Sequence, residues 1–352
     1  MKNIVLCFDS THSQPESSQT SPEVSNAVTL TRLLGETDRQ IVWHGPCQAA
    51  SSASSASDRT TLRGRAVNDA RAAIAEAYRF LVDHWRRGDE IYIFGTGAAA
   101  SCGLELSRLL GTVGVMADRS GYLLDYALAT YVLPRTHRTR QDWDRVQHLA
   151  ARLAGHRENA VSVRYLGLWD ATRMAGRLGT GAATESPTNV RAGRHAIGID
   201  GGPLPDRLIT QAGEGIAAAW FRGTHRDVTG ARGACRPLAD IALDWVMDGA
   251  LQAGAVLRDG GCWPVPVPTD RDALAGSVPA VSLRRPPEDA AVHASVEMYL
   301  RAHPHYWRRM PARVVWADPD WLARGERLAP AARRDGPTRN RGLREVLTAA
   351  AS

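Results

Sequence analysis

Residues 89–101 constrain the fold of this chain most, because a short apolar run passes there through a glycine turn into a helix. The run from Ile91 to Phe94 is β-branched and aromatic and follows a Gly-Asp turn signal, which indicates a buried central strand. After Gly97, leucines at positions 104, 106, 109 and 110 lie on the apolar side of a predicted helix. A strand, turn and helix in this order serve either a nucleophile elbow or a dinucleotide-binding loop.

Strand candidates alternate with helix candidates on both sides of this stretch. The predicted strands are residues 2–9, 40–43, 161–169 and 215–221, and the predicted helices are residues 26–34, 65–85, 121–157, 238–254 and 288–303. A surface loop is predicted for residues 48–60, where Ser, Ala and Gln dominate. Strand–helix alternation predicts an α/β fold with a mostly parallel sheet flanked by helices.

Composition and charge argue against several classes of protein. The net charge of +6 comes from scattered arginines without interleaved aromatic residues, so no nucleic acid partner is expected. No transmembrane segment and no signal peptide are indicated, so a cytoplasmic location is predicted, with export by a signal-peptide-independent route left open. The five cysteines lack CxxC spacing, and His12, His44 and His195 lack metal-ligand spacing. No disulfide framework, metal site or cofactor is therefore predicted.

The dinucleotide interpretation depends on the amino-acid sequence of the turn. Gly95-x-Gly97-x-x-Ala100 follows a strand and opens a helix, and Asp118 follows at the distance of a ribose-binding acid. The motif lies deep in the chain, however, and alanine-rich helix starts produce such matches by chance. A dinucleotide-binding protein remains one alternative.

Motifs spread over residues 1 to about 315 support the elbow interpretation instead. They are Lys2 to Thr11, Gly88 to Gly95, Leu166 to Asp170, Arg194 to Asp200, Trp220 to Val228 and Val292 to Val296. In this order they resemble the α/β-hydrolase-like family of the type VI secretion phospholipase effectors, the first lipase class, and its uncharacterised bacterial relatives. The resemblance implies one α/β-hydrolase-like domain over residues 1–315, including a lid-like region at 255–315. An irregular extension at 316–352 is predicted to be partly disordered.

The resemblance also implies a serine, aspartate and histidine triad in that chain order. Asp170 falls at the position of the acid and His225 at that of the base, and we expect their side chains to face each other near Gly97. The family's Gly-Phe-Ser-Arg-Gly is Gly95-Thr96-Gly97-Ala98-Ala99 here, so Gly97 replaces the nucleophile. Glycine cannot form an acyl-enzyme, although it suits a strained turn.

Several other side chains are candidates for the same site. Asp9, Ser10 and Thr11, together with Gly95 and Thr96, are predicted to line a pocket for a carboxylate, a phosphate or a lipid head group at the helix N-terminus. Asp9 is expected to order its own turn. Ser101 lies about 6 Å further along the helix than Gly97 and is a substitute nucleophile only if His225 moves; packing is its simpler role. His293 and Ser295 are predicted to be structural.

These observations favour a catalytically degraded relative of phospholipases and esterases, a pseudoenzyme that binds or regulates. Its ligand is predicted to be small and anionic or lipid-like, and the sequence does not indicate a protein partner. One alternative is an active ester or lipid hydrolase that uses Ser101 or a water activated by His225. The second alternative is the dinucleotide-binding protein.

Overall fold

The computed structural model describes residues 1–9, 24–46, 56–116, 139–153, 160–173, 187–202, 207–210, 212–260, 273–279 and 281–321. All structural statements below refer to these residues. Ser10, Thr11, His12, Asp118 and residues 322–352 lie outside them, and so does most of the predicted loop at 48–60.

Within the described residues, eight strands form one sheet with the order β2-β1-β3-β4-β5-β6-β7-β8, and each neighbouring pair is parallel. The strands are β1 (Asn3–Asp9), β2 (Gln40–Pro46), β3 (Glu90–Thr96), β4 (Val163–Trp169), β5 (Gly193–Gly198), β6 (Ile216–Phe221), β7 (Ala291–His293) and β8 (Val315–Ala317). The predicted α/β fold with a parallel sheet is confirmed. Because the strands are parallel, their carboxyl ends meet at one edge, where open sheets of this kind bind ligands.

Helices cover both faces of the sheet. They are α1 (Asn26–Leu34), α2 (Ala56–His84), α3 (Ala100–Thr112), α4 (Arg140–Leu153), α5 (His225–Thr229), α6 (Arg236–Gln252) and α7 (Ser295–Ala302), followed by a 3₁₀ helix (Pro304–Arg309). Alternate residues of β1 point to opposite faces. Ile4, Leu6 and Phe8 pack with α2 and α3, whereas Val5 and Cys7 pack with α1 and α6. A third cluster beneath α7 includes Trp220 and Val292.

The central strand and its helix approach closely because small residues separate them. A Cβ on Gly95 would lie 2.6 Å from the Cα of Ala100. Another on Gly103 would lie 2.9 Å from Ile93 Cγ2. Real Cβ atoms do not tolerate such distances, so glycine lets α3 pack on β3 and fixes where the turn between them lies.

Two predicted boundaries were wrong. The helix predicted for residues 288–303 is strand β7 followed by α7, because Val292 pairs with Trp220 of β6 and this tertiary pairing overrides local helix propensity. Residues 56–60, predicted as loop, are helical. Residues 291–293 of the region predicted as lid-like form β7, and β8 spans Val315–Ala317. The division into a domain at 1–315 and an extension at 316–352 stays a prediction.

Candidate active site

The turn between β3 and α3 holds Gly97 in the left-handed region, with φ of 52°. Gly97 is buried; its N–H donates to Trp169 O at 2.8 Å and its carbonyl accepts from Thr172 N–H at 2.9 Å. The turn is therefore fixed against the end of β4. A residue with a side chain would be strained at this φ, and glycine removes that strain.

Asp170 follows β4 directly and is wholly buried. Its φ of 45° is also left-handed, which is uncommon for a residue with a side chain. The Asp170 N–H donates to Ala196 O at 2.6 Å, and the Gly198 N–H donates to its Oδ1 at 2.8 Å. Neighbouring strand β5 thus holds both the backbone and the carboxylate of this residue.

His225 is the first residue of α5, and its Nδ1 lies 2.5 Å from Asp170 Oδ2. Thr224 caps the helix in a capping box with Asp227, which sets the start of the helix and the direction of the His225 side chain. The His225 N–H donates to Gly201 O at 2.7 Å. The contact expected between Asp170 and His225 is present, while their catalytic roles stay predictions. The His225 side chain is 27% exposed, so it lies at the surface of the site.

The sequence analysis missed Arg284, which contacts both oxygens of the same carboxylate. Its Nη1 lies 2.7 Å from Asp170 Oδ1 and its Nη2 lies 2.9 Å from Oδ2. Nη1 also donates to Gly198 O at 3.0 Å. The Arg284 side chain is 1% exposed. A two-pronged ion pair of this kind, removed from water, is among the strongest fixed contacts that a carboxylate makes.

The surroundings of Asp170 favour its ionised form. Burial by itself would raise the pKa of the carboxyl, but the hydrogen bond with His225 and the ion pair with Arg284 outweigh burial. Together they hold the pKa of Asp170 well below its usual range. The side chain is therefore a carboxylate and a hydrogen-bond acceptor only.

Gly202, four residues after the end of β5, lies against the side chains of His225 and Arg284. Gly202 has φ of 145°, and a Cβ there would lie 2.6 Å from His225 Cβ and 2.7 Å from Arg284 Nη2. Only glycine lets the backbone approach both side chains at once.

Ser101 is committed to another contact. Its hydroxyl donates to Thr172 O at 2.7 Å, so it ties α3 to the segment that follows Asp170. Within the described residues Ser101 and His225 form no hydrogen bond. The geometry matches the packing role of Ser101 and gives no support to its role as substitute nucleophile.

The predicted pocket residues Asp9 and Thr96 bind each other. Asp9 Oδ1 accepts from Thr96 Oγ1 at 3.0 Å and from Ser25 Oγ at 2.8 Å. These contacts join β1, β3 and the start of α1. The turn that Asp9 is expected to order lies outside the described residues, so that expectation stays a prediction. Gly95 contacts α3, as described above. The ligand-binding role of these residues remains a prediction.

The other polar residues of the sequence motifs have structural contacts. His195 Nε2 accepts from Ala171 N–H at 2.9 Å, and burial lowers the pKa of His195 to about 4. Asp200 accepts from Gly223 N–H at 2.7 Å and from Tyr306. His293 Nδ1 and Ser295 Oγ lie 2.9 Å apart in the core. The described side chains include no group of three or more His, Cys, Asp or Glu residues that could hold a metal ion.

A parallel sheet, a glycine turn between the central strand and its helix, and an aspartate–histidine pair after later strands define an α/β-hydrolase-like protein. More narrowly, the chain belongs to the family of type VI secretion system phospholipase effectors that are Tle1-like, because the model of that family's catalytic domain matches residues 2–249. The resemblance drawn from the sequence motifs is confirmed. Gly97, Asp170 and His225 lie inside the matched region, and Arg284 lies outside it.

The solved structures that are similar to this chain include the following two. The crystal structure of an uncharacterized protein from Pseudomonas aeruginosa shares 15% identity with a TM-score of 0.39, and the match covers 73% of this chain and 46% of that one. The structure of the Tle1 effector bound to the VgrG spike from the type 6 secretion system shares 13% identity with a TM-score of 0.35, over 65% of this chain and 50% of that one. The chain thus spans about half the length of either solved protein. No curated protein matches it. Among the helices that the structure describes, none has the length and apolar character needed to cross a membrane.

Proposed function

We propose that this protein is a catalytically degraded Tle1-like phospholipase relative that binds a ligand without hydrolysing it. The observation that carries the proposal is Gly97, which occupies the left-handed turn between β3 and α3. The sequence resemblance assigns the family's nucleophile to this position. Serine hydrolases attack through an oxygen at this turn, and glycine supplies none.

Among the residues that the structure describes, the side chains next to Gly97 do not offer a replacement nucleophile. The Thr96 hydroxyl donates to Asp9, and the Ser101 hydroxyl donates to Thr172 O. Cys102 is wholly buried in the core between the sheet and α3. A nucleophile needs hydrogen-bonding reach to its base and access to the substrate, and each of these groups is instead committed to a structural position.

The rest of the arrangement supports retained binding. The Asp170–His225 pair persists at 2.5 Å, and Asp170 keeps a strained backbone, with φ of 45°. Strain at such a position costs of order 1–3 kcal/mol, so its persistence indicates a use. We propose a small anionic or lipid-like ligand that contacts the exposed face of His225 and the first turn of α3, whose N–H groups attract negative charge. Family membership makes secretion the competing hypothesis to a cytoplasmic location.

The second candidate function is hydrolysis by a water molecule that His225 activates. It is favoured by one observation: within the described residues no side chain or backbone group forms a hydrogen bond with His225 Nε2, so this atom can act as a general base. The family match favours both hydrolase-derived functions over the dinucleotide alternative.

Hydrolysis and binding assays separate these functions. Purified wild type and His225→Ala would be compared on short acyl esters and on vesicles of phosphatidylglycerol or phosphatidylcholine, with phosphate and acetate as soluble probes. The proposal predicts equal background hydrolysis for both proteins, and binding of at least one probe that is weakened in His225→Ala. Hydrolysis by the wild type that disappears in His225→Ala would refute the pseudoenzyme and show that the hydrolysis depends on His225. Absence of binding to every probe would refute the proposed ligand class.

A further inference from the structure

Arg284 lies in a segment, residues 281–287, in which exposed side chains alternate with buried or half-buried ones. Val281 and Leu283 are exposed, whereas Arg284 is buried against the acid. The segment has its own anchor, because Ser282 Oγ donates to Ile199 O at 2.8 Å. The Ser282 contact already attaches the segment to the sheet. The buried guanidinium of Arg284 is not needed for that attachment, so it has another role.

The donors around Asp170 fill its carboxylate completely. Oδ1 accepts from the Gly198 N–H and from Arg284 Nη1, and Oδ2 accepts from Arg284 Nη2 and contacts His225 Nδ1. A carboxylate has about four acceptor sites, so no further donor is required. Because Oδ2 can only accept, the hydrogen of this contact lies on Nδ1.

The charges at the site balance without a proton on Nε2 of His225. The described ionisable groups that face Asp170 are Arg284, His225 and His195. Asp170 contributes one negative charge and Arg284 one positive charge, and burial keeps His195 neutral. A buried carboxylate needs one compensating charge, and the guanidinium already provides it.

We propose that Arg284 is a positioning residue for the Asp170–His225 pair: it supplies the counter-charge of the carboxylate, so that His225 stays neutral, with its hydrogen on Nδ1 and the Nε2 lone pair open. A neutral imidazole in this tautomer accepts a hydrogen bond from a hydroxyl group or a water molecule at Nε2. The inference concerns the free protein. It holds whether the site only binds a ligand or also hydrolyses it.

The test is the protonation state of His225, observed by long-range ¹H–¹⁵N NMR of histidine-labelled protein at pH 8. The signals of His225 would be assigned by their loss in His225→Gln. Wild type is expected to show hydrogen on Nδ1 and none on Nε2. Arg284→Met is expected to show both nitrogens protonated, because His225 then becomes the only counter-charge of Asp170. Arg284→Lys, which keeps the charge, is expected to restore the wild-type pattern.

The matched control is Arg194→Met. Arg194 forms another partly buried ion pair, with Asp248 at 2.8 Å, and its removal is expected to leave the His225 signals unchanged. A protonated His225 Nε2 in the wild type would overturn the proposal. An unprotonated His225 Nε2 in folded Arg284→Met would overturn it as well. If Arg284→Met does not fold, Arg284→Lys decides: the wild-type pattern supports the proposal, and protonation of both nitrogens refutes compensation by charge.

Discussion

His195 makes the stability of the acid segment dependent on pH. The side chain is wholly buried, and its Nε2 accepts from the N–H of Ala171, the residue after Asp170. Burial lowers the pKa of His195 from 6.5 to about 4, so the imidazole is neutral in the folded protein between these values. The unfolded chain takes up a proton there and the folded chain does not, so the free energy of unfolding falls as pH is lowered.

The size of this effect follows from the two pKa values. The interval from 6.5 to about 4, at ~1.4 kcal/mol per pH unit, corresponds to about 3 kcal/mol lost between pH 7 and pH 4. Asp170 does not contribute in this window. Its pKa is held below the usual range, so its contribution is present above about pH 4 and is lost only in stronger acid.

Urea unfolding at half-unit steps from pH 7.5 to pH 4.5 measures the effect. His195→Gln is the comparison, because the glutamine amide offers an acceptor for Ala171 N–H without titrating. The difference in unfolding free energy between wild type and His195→Gln is expected to narrow steadily below pH 6.5. Parallel curves for the two proteins would show that His195 is not buried in its neutral form, and the reasoning would be refuted.

Three substitutions test the remaining contacts. Asp170→Asn leaves the Arg284 guanidinium buried without its counter-charge, and we expect a loss of about 3–5 kcal/mol in unfolding free energy. Ser101→Ala removes the hydrogen bond to Thr172 O, and we expect a loss of about 1 kcal/mol with no change in any ester turnover. Gly95→Ala places a methyl group against α3, and we expect a loss of about 1–3 kcal/mol. Chemical denaturation measures each value.

The controls and contrary outcomes differ among these variants. Glu90→Gln removes an exposed ion pair with Arg191 and is expected to cost at most about 1 kcal/mol. Equal losses for Asp170→Asn and Glu90→Gln would contradict a buried ion pair at the site. Ester turnover that is abolished in Ser101→Ala would identify that hydroxyl as a nucleophile.

Sequence patterns were sufficient for the parts of the site that directly follow strands. The β3 run, its glycine turn and Asp170 could be placed because parallel strands end at one edge of the sheet. His225 could be assigned only through the family motif, since a histidine near a strand has many other uses. The structure adds its position at the start of a capped helix.

Arg284 could not be found in the same way. It lies in a segment punctuated by Pro and Arg, beyond the residues that match the family, and most arginines in such segments are exposed. The alternation of residues 281–287 was the available signal, since an arginine at an inward position requires a buried acid. Strand β7 was missed because three residues carry too little periodicity to oppose helix propensity.

The central claim is that this site lacks its attacking oxygen while the base and acid remain. Reaction of Gly97→Ser with a fluorophosphonate, followed by intact mass, tests it most directly, because the reagent labels only a serine activated by a base. A serine at φ near 52° costs roughly 1–2 kcal/mol of strain, which a folded domain tolerates. The account predicts one added label on Gly97→Ser and none on wild type or on Gly97→Ser combined with His225→Ala. Labelling of the wild type, or no labelling of folded Gly97→Ser, would contradict it.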